Sequence, residues 1–327
     1  MTRAFEAKQA KRLAVPLLAG IMGPSGGGKT YSAHRLATGI RKVSGGKVYC
    51  VDTENKRALH YADKFDFQHV DMGPPFGSLD YLAAVKYCEA QGASVVIIDS
   101  MSHEHEGEGG YLDLHDKELT RLTKGDDSKR GQMNFLAWAK PSQQRQQMIQ
   151  GLLRVNCSVI CCFRAKEKIK LVKNAQGRQE PVEIGWMPIA GEALLYEMTL
   201  NCLLPPRADG VPQWTSEFSG EKLMMKLPEQ FRHLFTGGTP LNEFMGEQLA
   251  TWAAGGSKPP PAADVAAVPA ELKELHSLVL EAAKIGRLQF EAAWKRLTKA
   301  ERGSLGDYVL TIYKPAVEAA EAKRVSA

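Results

Sequence analysis

No stretch of 18 consecutive apolar residues occurs in the 327-residue chain, so no part of it is expected to cross a membrane as a helix. The six cysteines (Cys50, Cys88, Cys157, Cys161, Cys162 and Cys202) form no C-x-x-C pair, and no histidine lies at finger spacing from them. That excludes a zinc finger or ribbon. Most lie inside apolar runs and read as reduced core thiols of a cytosolic protein. H-E-x-x-H spacing is also missing: His103-Glu104-His105-Glu106 could chelate from alternate positions of a strand, but no third ligand is in view, and no metal is expected there. A strong charge bias is absent too. Lys plus Arg (42) exceeds Asp plus Glu (37) by 5, so any basic surface must be local.

What is present is ordinary globular composition, 44% apolar and 24% charged, which allows a sizeable core. At about 150 residues per domain the length suggests two domains. Arg3, Lys8, Lys11 and Arg12 ahead of Leu13 to Met22 imitate a signal peptide. However, that run enters a glycine cluster directly, with no A-x-A-like cleavage site, and reads as a buried strand.

Apolar runs alternate with helical patterns along the first two thirds of the chain. Pro16 to Met22 is predicted as a strand, Thr30 to Val43 as a helix closed by Gly45 and Gly46, and Lys47 to Val51 as a second strand. Ser78 is expected to cap a helix from Leu79 to Gln91, followed by a β-branched strand, Ser94 to Ile98. A helix over Asn134 to Leu153 and a strand over Ser158 to Phe163 come next. The pattern predicts an α/β fold with a central, mostly parallel sheet covered on both faces. After Phe163, alternation and turn residues suggest hairpins, then a short helix from Gly191 to Leu195 and a strand from Tyr196 to Leu204. Thr239 with Pro240 is read as the start of a helix to about Trp252. The domain reading is a core over 1–254, a proline-rich linker over 255–269 and a small helical unit over 270–327. In that unit Leu272, Leu275, Val279 and Ala283 form one stripe, Phe290, Trp294 and Leu297 a second, and Thr298 with Glu301 a capping box.

Gly23-Pro24-Ser25-Gly26-Gly27-Gly28-Lys29-Thr30 fits G-x-x-x-x-G-K-[ST] between a predicted strand and helix. Glycines at these positions let backbone N–H groups turn inward around phosphates, and the helix aims its positive end at them. Lys29 is placed to neutralise the β- and γ-phosphates of ATP, and the Thr30 hydroxyl to hold Mg²⁺. Val95-Val96-Ile97-Ile98-Asp99 is an apolar strand ending in a carboxylate, so Asp99 is the second magnesium contact.

A further carboxylate follows the second strand, in Asp52-Thr53-Glu54. Phosphate loop, Asp-x-Glu and Asp99 in this order resemble the RecA-type recombinase core, and the match covers roughly Leu17 to Trp252. The chain most resembles the short RecA-like ATPases of bacteriophages, proposed to serve recombination and single-strand annealing. The resemblance implies a RecA-like P-loop NTPase in the cytoplasm of a bacterial host. It also implies that Glu54 activates the attacking water and that Arg164 stands at the γ-phosphate sensor, where such proteins usually carry glutamine. Arg164 could then sense by charge or reach a neighbouring subunit's nucleotide. Lys222 and Lys226 lie where such cores carry lysines directed at the adjacent subunit's phosphate. A homo-oligomer, ring or filament, is implied, although no FxxA motif precedes the core, which leaves the monomer open as well.

Between Arg164 and Arg178 there are six basic residues and one acid, a net +5 in 15 residues. Lys166, Lys168, Lys170, Lys173 and Arg178 are therefore candidate contacts to single-stranded DNA; a solvated hairpin face is the competing reading. The stretch from His103 to Gly131 carries eight acidic and five basic residues. It reads as an ordered lid or subunit contact. Tyr111, Trp186 and Trp214 could stack on bases, with interior packing the alternative. Other functional readings are a helicase or helicase loader, a small-molecule phosphotransferase, and a module that uses ATP only as a latch. The helical unit, with ten basic and eight acidic residues, has too little charge for a DNA clamp. It is expected to dock on a partner such as a single-strand-binding protein or a neighbouring subunit.

Overall fold

Uninterrupted apolar runs become strands buried on both faces, while runs with one apolar stripe become the helices that cover them. A computed structural model describes residues 14–173, 177–215, 218–235, 238–255 and 272–308, with 313, 314, 316, 317 and 320. The chain divides into two units, Met1–Pro259 and Pro260–Ala327. The first runs β1 (Leu18–Gly23), α1 (Lys29–Ser44), β2 (Lys47–Asp52), a 3-10 turn (Arg57–Tyr61), β3 (Gln68–Asp71), α2 (Ser78–Ala90) and β4 (Ala93–Asp99). It continues with α3 (Ser102–Glu106), α4 (Tyr111–Thr123), α5 (Arg130–Ala137), α6 (Ala139–Leu152), β5 (Ser158–Lys173) and β6 (Gln179–Pro188). Then come α7 (Glu192–Glu197), β7 (Leu200–Leu203), α8 (Ser219–Met224) and α9 (Glu243–Ala253).

The sheet has the order β3-β2-β4-β5-β1-β7, and every pair along that path is parallel. Leu36 and Ile40 of α1 pack with Met245 and Leu249 of α9 on one face. On the other, Tyr81 and Val85 of α2 meet Met148 and Leu152 of α6. The architecture is α/β, with a central, mostly parallel sheet and helices on both sides. Strand β5 lies between β1 and β4, so the ends of these three strands and of β2 lie along one edge. Only its first half is buried in the sheet. From Lys166 onward it leaves the sheet and pairs antiparallel with β6 as a hairpin exposed to solvent. No helix among the described residues is long and apolar enough to cross a membrane, and all six cysteines are free and buried.

Local readings need several corrections. Gly77, not Ser78, is the N-cap of α2; the Ser78 hydroxyl donates instead to Glu104 Oε1 at 2.5 Å, because a buried carboxylate claims it. The helix expected from Asn134 breaks at Trp138 into α5 and α6, where Trp138 turns to stack on His115, ring centres 3.7 Å apart. Thr239 does not cap α9. Asn242 does, its Oδ1 accepting from the Met245 N–H at 3.0 Å. The strand expected from Tyr196 starts only at Leu200, since α7 continues to Glu197. Strand β3 carries too little apolar sequence to be foreseen.

The second unit contains α10 (Lys273–Ile285), α11 (Arg287–Arg296) and α12 (Lys299–Tyr308). Val279, Ala283, Leu297, Leu305 and Tyr313 form its core, with Phe290 and Trp294 packed against it. The Thr298 hydroxyl and Glu301 carboxylate bond reciprocally to each other's backbone N–H. The basic run at residues 3–12 and the linker prolines lie outside the described residues.

Helices α1 and α9 approach so closely that a Cβ at Gly39 would collide with the Glu243 carbonyl, and one at Gly246 with the Leu36 carbonyl. Two ion pairs flank this seam, Arg35 to Glu243 at 2.6 Å and Lys42 to Glu247 at 2.7 Å. Gly39→Ala is predicted to force the helices apart and cost about 1–3 kcal/mol, outweighing the roughly 1 kcal/mol that alanine adds to helix propensity. Urea unfolding of the variant checks this, and an unchanged midpoint would contradict it.

Candidate functional site

The loop from Gly23 to Gly28 joins β1 to α1. Gly26 and Gly28 take positive φ, 80° and 89°, a region in which a side chain is strained. Helix α1 has neither a side-chain cap nor an acid in its first turn, so its own side chains leave its positive end uncompensated. Lys29 bends back over the loop, its Nζ donating to the Pro24 carbonyl at 2.7 Å. Burial pushes this ammonium below its ordinary pKa.

Parallel pairing carries Asp99, the last residue of β4, to the same edge. The Thr30 hydroxyl donates to Asp99 Oδ2 at 2.5 Å, joining two residues 69 positions apart. Burial raises the Asp99 carboxyl above its usual range, opposed by that hydrogen bond. The two could hold a divalent cation between them: a hydroxyl and a buried carboxylate are hard oxygen donors of the kind magnesium takes. Among the described residues there is no cluster of three or more His, Cys, Asp or Glu that could hold a metal. His103 to Glu106 belong to α3 rather than to a strand, which places Glu104 inside against Arg145 and removes the alternating geometry a strand would give.

Glu54 reaches the cleft because Asp52 folds the loop that carries it. Buried at the end of β2, the Asp52 carboxylate accepts from Glu54 N–H at 2.7 Å and from Ala58 N–H at 2.9 Å. Asn55 and Lys56 turn the chain with φ of 55° and 65°. Arg164, at the end of the sheet portion of β5, donates to Glu54 Oε1 through Nε at 2.9 Å and approaches it through Nη2 at 2.8 Å. Arg57 donates to Oε2 at 2.9 Å. Glu54 is thus gripped by two guanidiniums, Arg164 and Arg57.

The cleft between these groups has a volume of about 640 Å³ and is lined also by His60, Tyr61, Glu106 and Lys166. Arg57, His60 and Tyr61 escaped sequence reasoning. Arg57 carried one signal: it stands three residues from Glu54, the spacing at which side chains meet across a helical turn.

Candidate nucleic-acid contacts lie on the hairpin with differing surroundings. Lys166 is paired to Glu106 at 3.1 Å and lines the cleft. Lys168 and Lys170 share its strand face, whereas Lys173 lies on the opposite one; Arg178 follows the turn. Lys226 donates to the carbonyls of Met198, at 2.7 Å, and Tyr196, at 3.2 Å, and neither it nor Lys222 lines the cleft. Tyr111 is held between Trp138 and the Arg145 guanidinium, 3.4 Å from its ring centre, and Trp214 packs on Phe235. Trp186 stands opposite Glu167 at the hairpin root. Compared with protein-family models and with curated proteins, the chain matches none.

One turn beyond Thr30, buried His34 stacks on Phe65 with ring centres 5.2 Å apart and backs the turn that carries Tyr61. Its Nε2 has no hydrogen-bond partner among the described residues, and burial holds its pKa down, from 6.5 to about 4. Between those values the unfolded chain binds more protons, so this contribution to stability is full above pH 6.5 and is lost as pH falls toward 4. His34→Phe should remove up to roughly 3 kcal/mol of that loss. His103 and His105, also lowered by burial, keep part of the slope. Urea unfolding at about pH 7.5 and about pH 4.5 compares the two chains; an identical slope would refute the assignment.

Proposed function

We propose that the chain is an ATP-binding and ATP-hydrolysing RecA-like protein that acts on single-stranded DNA, in phage recombination or strand annealing. The observation that carries the nucleotide part is the convergence of Lys29, Thr30 and Asp99 under a loop of backbone N–H groups, with Glu54 facing them across the cleft. Lys29, released from the Pro24 carbonyl, would place its charge on the β- and γ-phosphates. Thr30 and Asp99 would hold Mg²⁺, which neutralises charge developing on the phosphate oxygens. Glu54 would take a proton from water, but two arginines now occupy its oxygens. Bound phosphate offers those arginines a denser charge, so Arg164 and Arg57 would exchange Glu54 for the γ-phosphate as Glu54 becomes available.

The DNA part rests on the hairpin, whose exposed lysines give a phosphate-tracking surface beside the cleft. ATP turnover measured without nucleic acid and with single-stranded DNA, duplex DNA and RNA tests the whole reading. Stimulation by single strands supports it, and equal rates in all four would separate the ATPase from DNA.

Lys29→Ala should abolish turnover without unfolding the chain, because the loop is at the surface. Glu54→Gln should still bind ATP but turn it over at least about 10²-fold more slowly. Loss of ATP binding in Glu54→Gln, measured by calorimetry, would assign that residue to structure instead.

Replacing Lys168, Lys170 and Lys173 together with alanine should weaken single-strand binding for all sequences alike. It should also reduce the dependence of log affinity on log salt by about 0.7 per lost contact. Equal weakening at every salt concentration would show that the arm acts through packing.

A further inference from the structure

Helix α3 begins just beyond Asp99 and ties together strand ends that carry charged groups of the cleft. On one side the Ser102 hydroxyl accepts from the Arg164 N–H at 2.9 Å. On the other, His103 Nδ1 meets the hydroxyl of Thr53 at 2.8 Å, and Thr53 immediately precedes Glu54. Thr53 is only 5% exposed. Its N–H donates to the Asp99 carbonyl at 2.8 Å, and its hydroxyl accepts from the Ser100 N–H at 2.8 Å. That hydroxyl also lies 3.1 Å from the Ser100 carbonyl, which already accepts from the Tyr81 hydroxyl at 2.9 Å. The bond to His103 therefore helps fix which way the Thr53 side chain turns.

Packing does not account for this choice of residue. The half-buried His103 ring leans on Phe76, ring centres 5.0 Å apart, and an aliphatic side chain would cover Phe76 without an imidazole to desolvate. A polar group kept where an apolar one would pack as well is expected at a functional position. Glu54 needs such a hold. Its carboxylate must leave Arg164 and Arg57 before it can act on water, while its main chain must stay in place. With Asp52 accepting from the Glu54 N–H and Thr53 bolted to Asp99, Ser100 and His103, the side chain can change partners without carrying the loop along.

We propose that His103, acting through Thr53, is a positioning residue that fixes the Glu54 main chain against the Thr30–Asp99 pair. The assignment rests on the nucleotide reading above, in which Glu54 takes the proton from water. His103 itself touches neither phosphate nor metal in this scheme. Losing the bond would let the carboxylate stray, and a displacement of about 1 Å can cost roughly 10²-fold in rate. ATP binding, carried by the glycine loop, Lys29, Thr30 and Asp99, would be spared.

Steady-state ATP turnover of the full chain, with kcat and KM resolved, tests it, and urea unfolding checks that each variant folds. His103→Leu, which keeps an apolar contact for Phe76, should lower kcat at least about tenfold while KM for ATP stays within about twofold. His103→Asn, which keeps a polar atom near the Nδ1 position, should recover most of the loss. Thr53→Val should match His103→Leu, whereas Thr53→Ser should stay within about threefold of the wild type; combining Thr53→Val with His103→Leu should add nothing, because both act through one bond. Should Thr53→Val fail to fold, the two variants at half-buried His103 decide alone. A kcat within about twofold of wild type in His103→Leu, a rise in KM in place of the fall in kcat, or His103→Asn as slow as His103→Leu would overturn the assignment and leave the nucleotide reading standing. A wild type that does not turn over ATP would remove both.

Discussion

Insertion of β5 between β1 and β4 is the constraint from which the site follows. Parallel strands end at a common edge, and each of the four ends there delivers a different group. From β1 comes the glycine loop with Lys29 and Thr30, from β2 the Asp52–Glu54 turn, from β4 Asp99, and from β5 Arg164. The crossover helices are long enough to bury apolar stripes on both faces, so the edge is held by the same packing that holds the sheet. Slipping any strand by one residue would turn every side chain to the other face of the sheet and shift the group at its end along the edge. The positions of these charged groups are therefore fixed by hydrophobic register as much as by their own bonds.

The edge also concentrates charge in a half-buried setting. The Asp99 carboxylate accepts from the neutral Thr30 hydroxyl, and burial works against its ionised form. Glu54 is satisfied by Arg164 and Arg57, while Lys29 is satisfied by a neutral carbonyl. Removing one member of such a set leaves the others unpaired at a cost of a few kcal/mol. A polyanion with its cation would instead offer denser partners to Lys29, Arg57, Arg164 and Asp99, and would release Glu54. The geometry is that of groups satisfied provisionally by one another.

Consecutive residues were the legible part of the sequence. Gly23 to Thr30 declares its loop within eight positions, and Asp99 is announced by the apolar strand before it. Relations between residues that only the folded backbone brings together were not legible. The grip of Arg57 on Glu54 depends on left-handed backbone at Asn55 and Lys56, residues not bound to adopt it. Ser78 was misread because a buried glutamate 26 positions away competes for its hydroxyl, and Thr239 because Asn242 lies nearer the first free N–H groups. The break at Trp138 follows from an aromatic stack with His115 that no helical periodicity encodes. At Ser78 and Trp138 tertiary partners overrode a local preference, whereas at Thr239 a nearer local cap did.

Strand β5 is continuous over 16 residues, with one end clamped among core strands and the other beyond them. From Ala165 to Lys173 it extends about 30 Å at roughly 3.3 Å per residue, and its pivot is Arg164, whose guanidinium sits in the cleft. A stiff rod clamped in this way is a lever. A tilt of about ten degrees at the pivot, well under the twist between neighbouring strands, sweeps the far end through about 5 Å. A change of angle at Arg164 would therefore be felt most at the tip of the ribbon, several residues from the charges at the sheet edge.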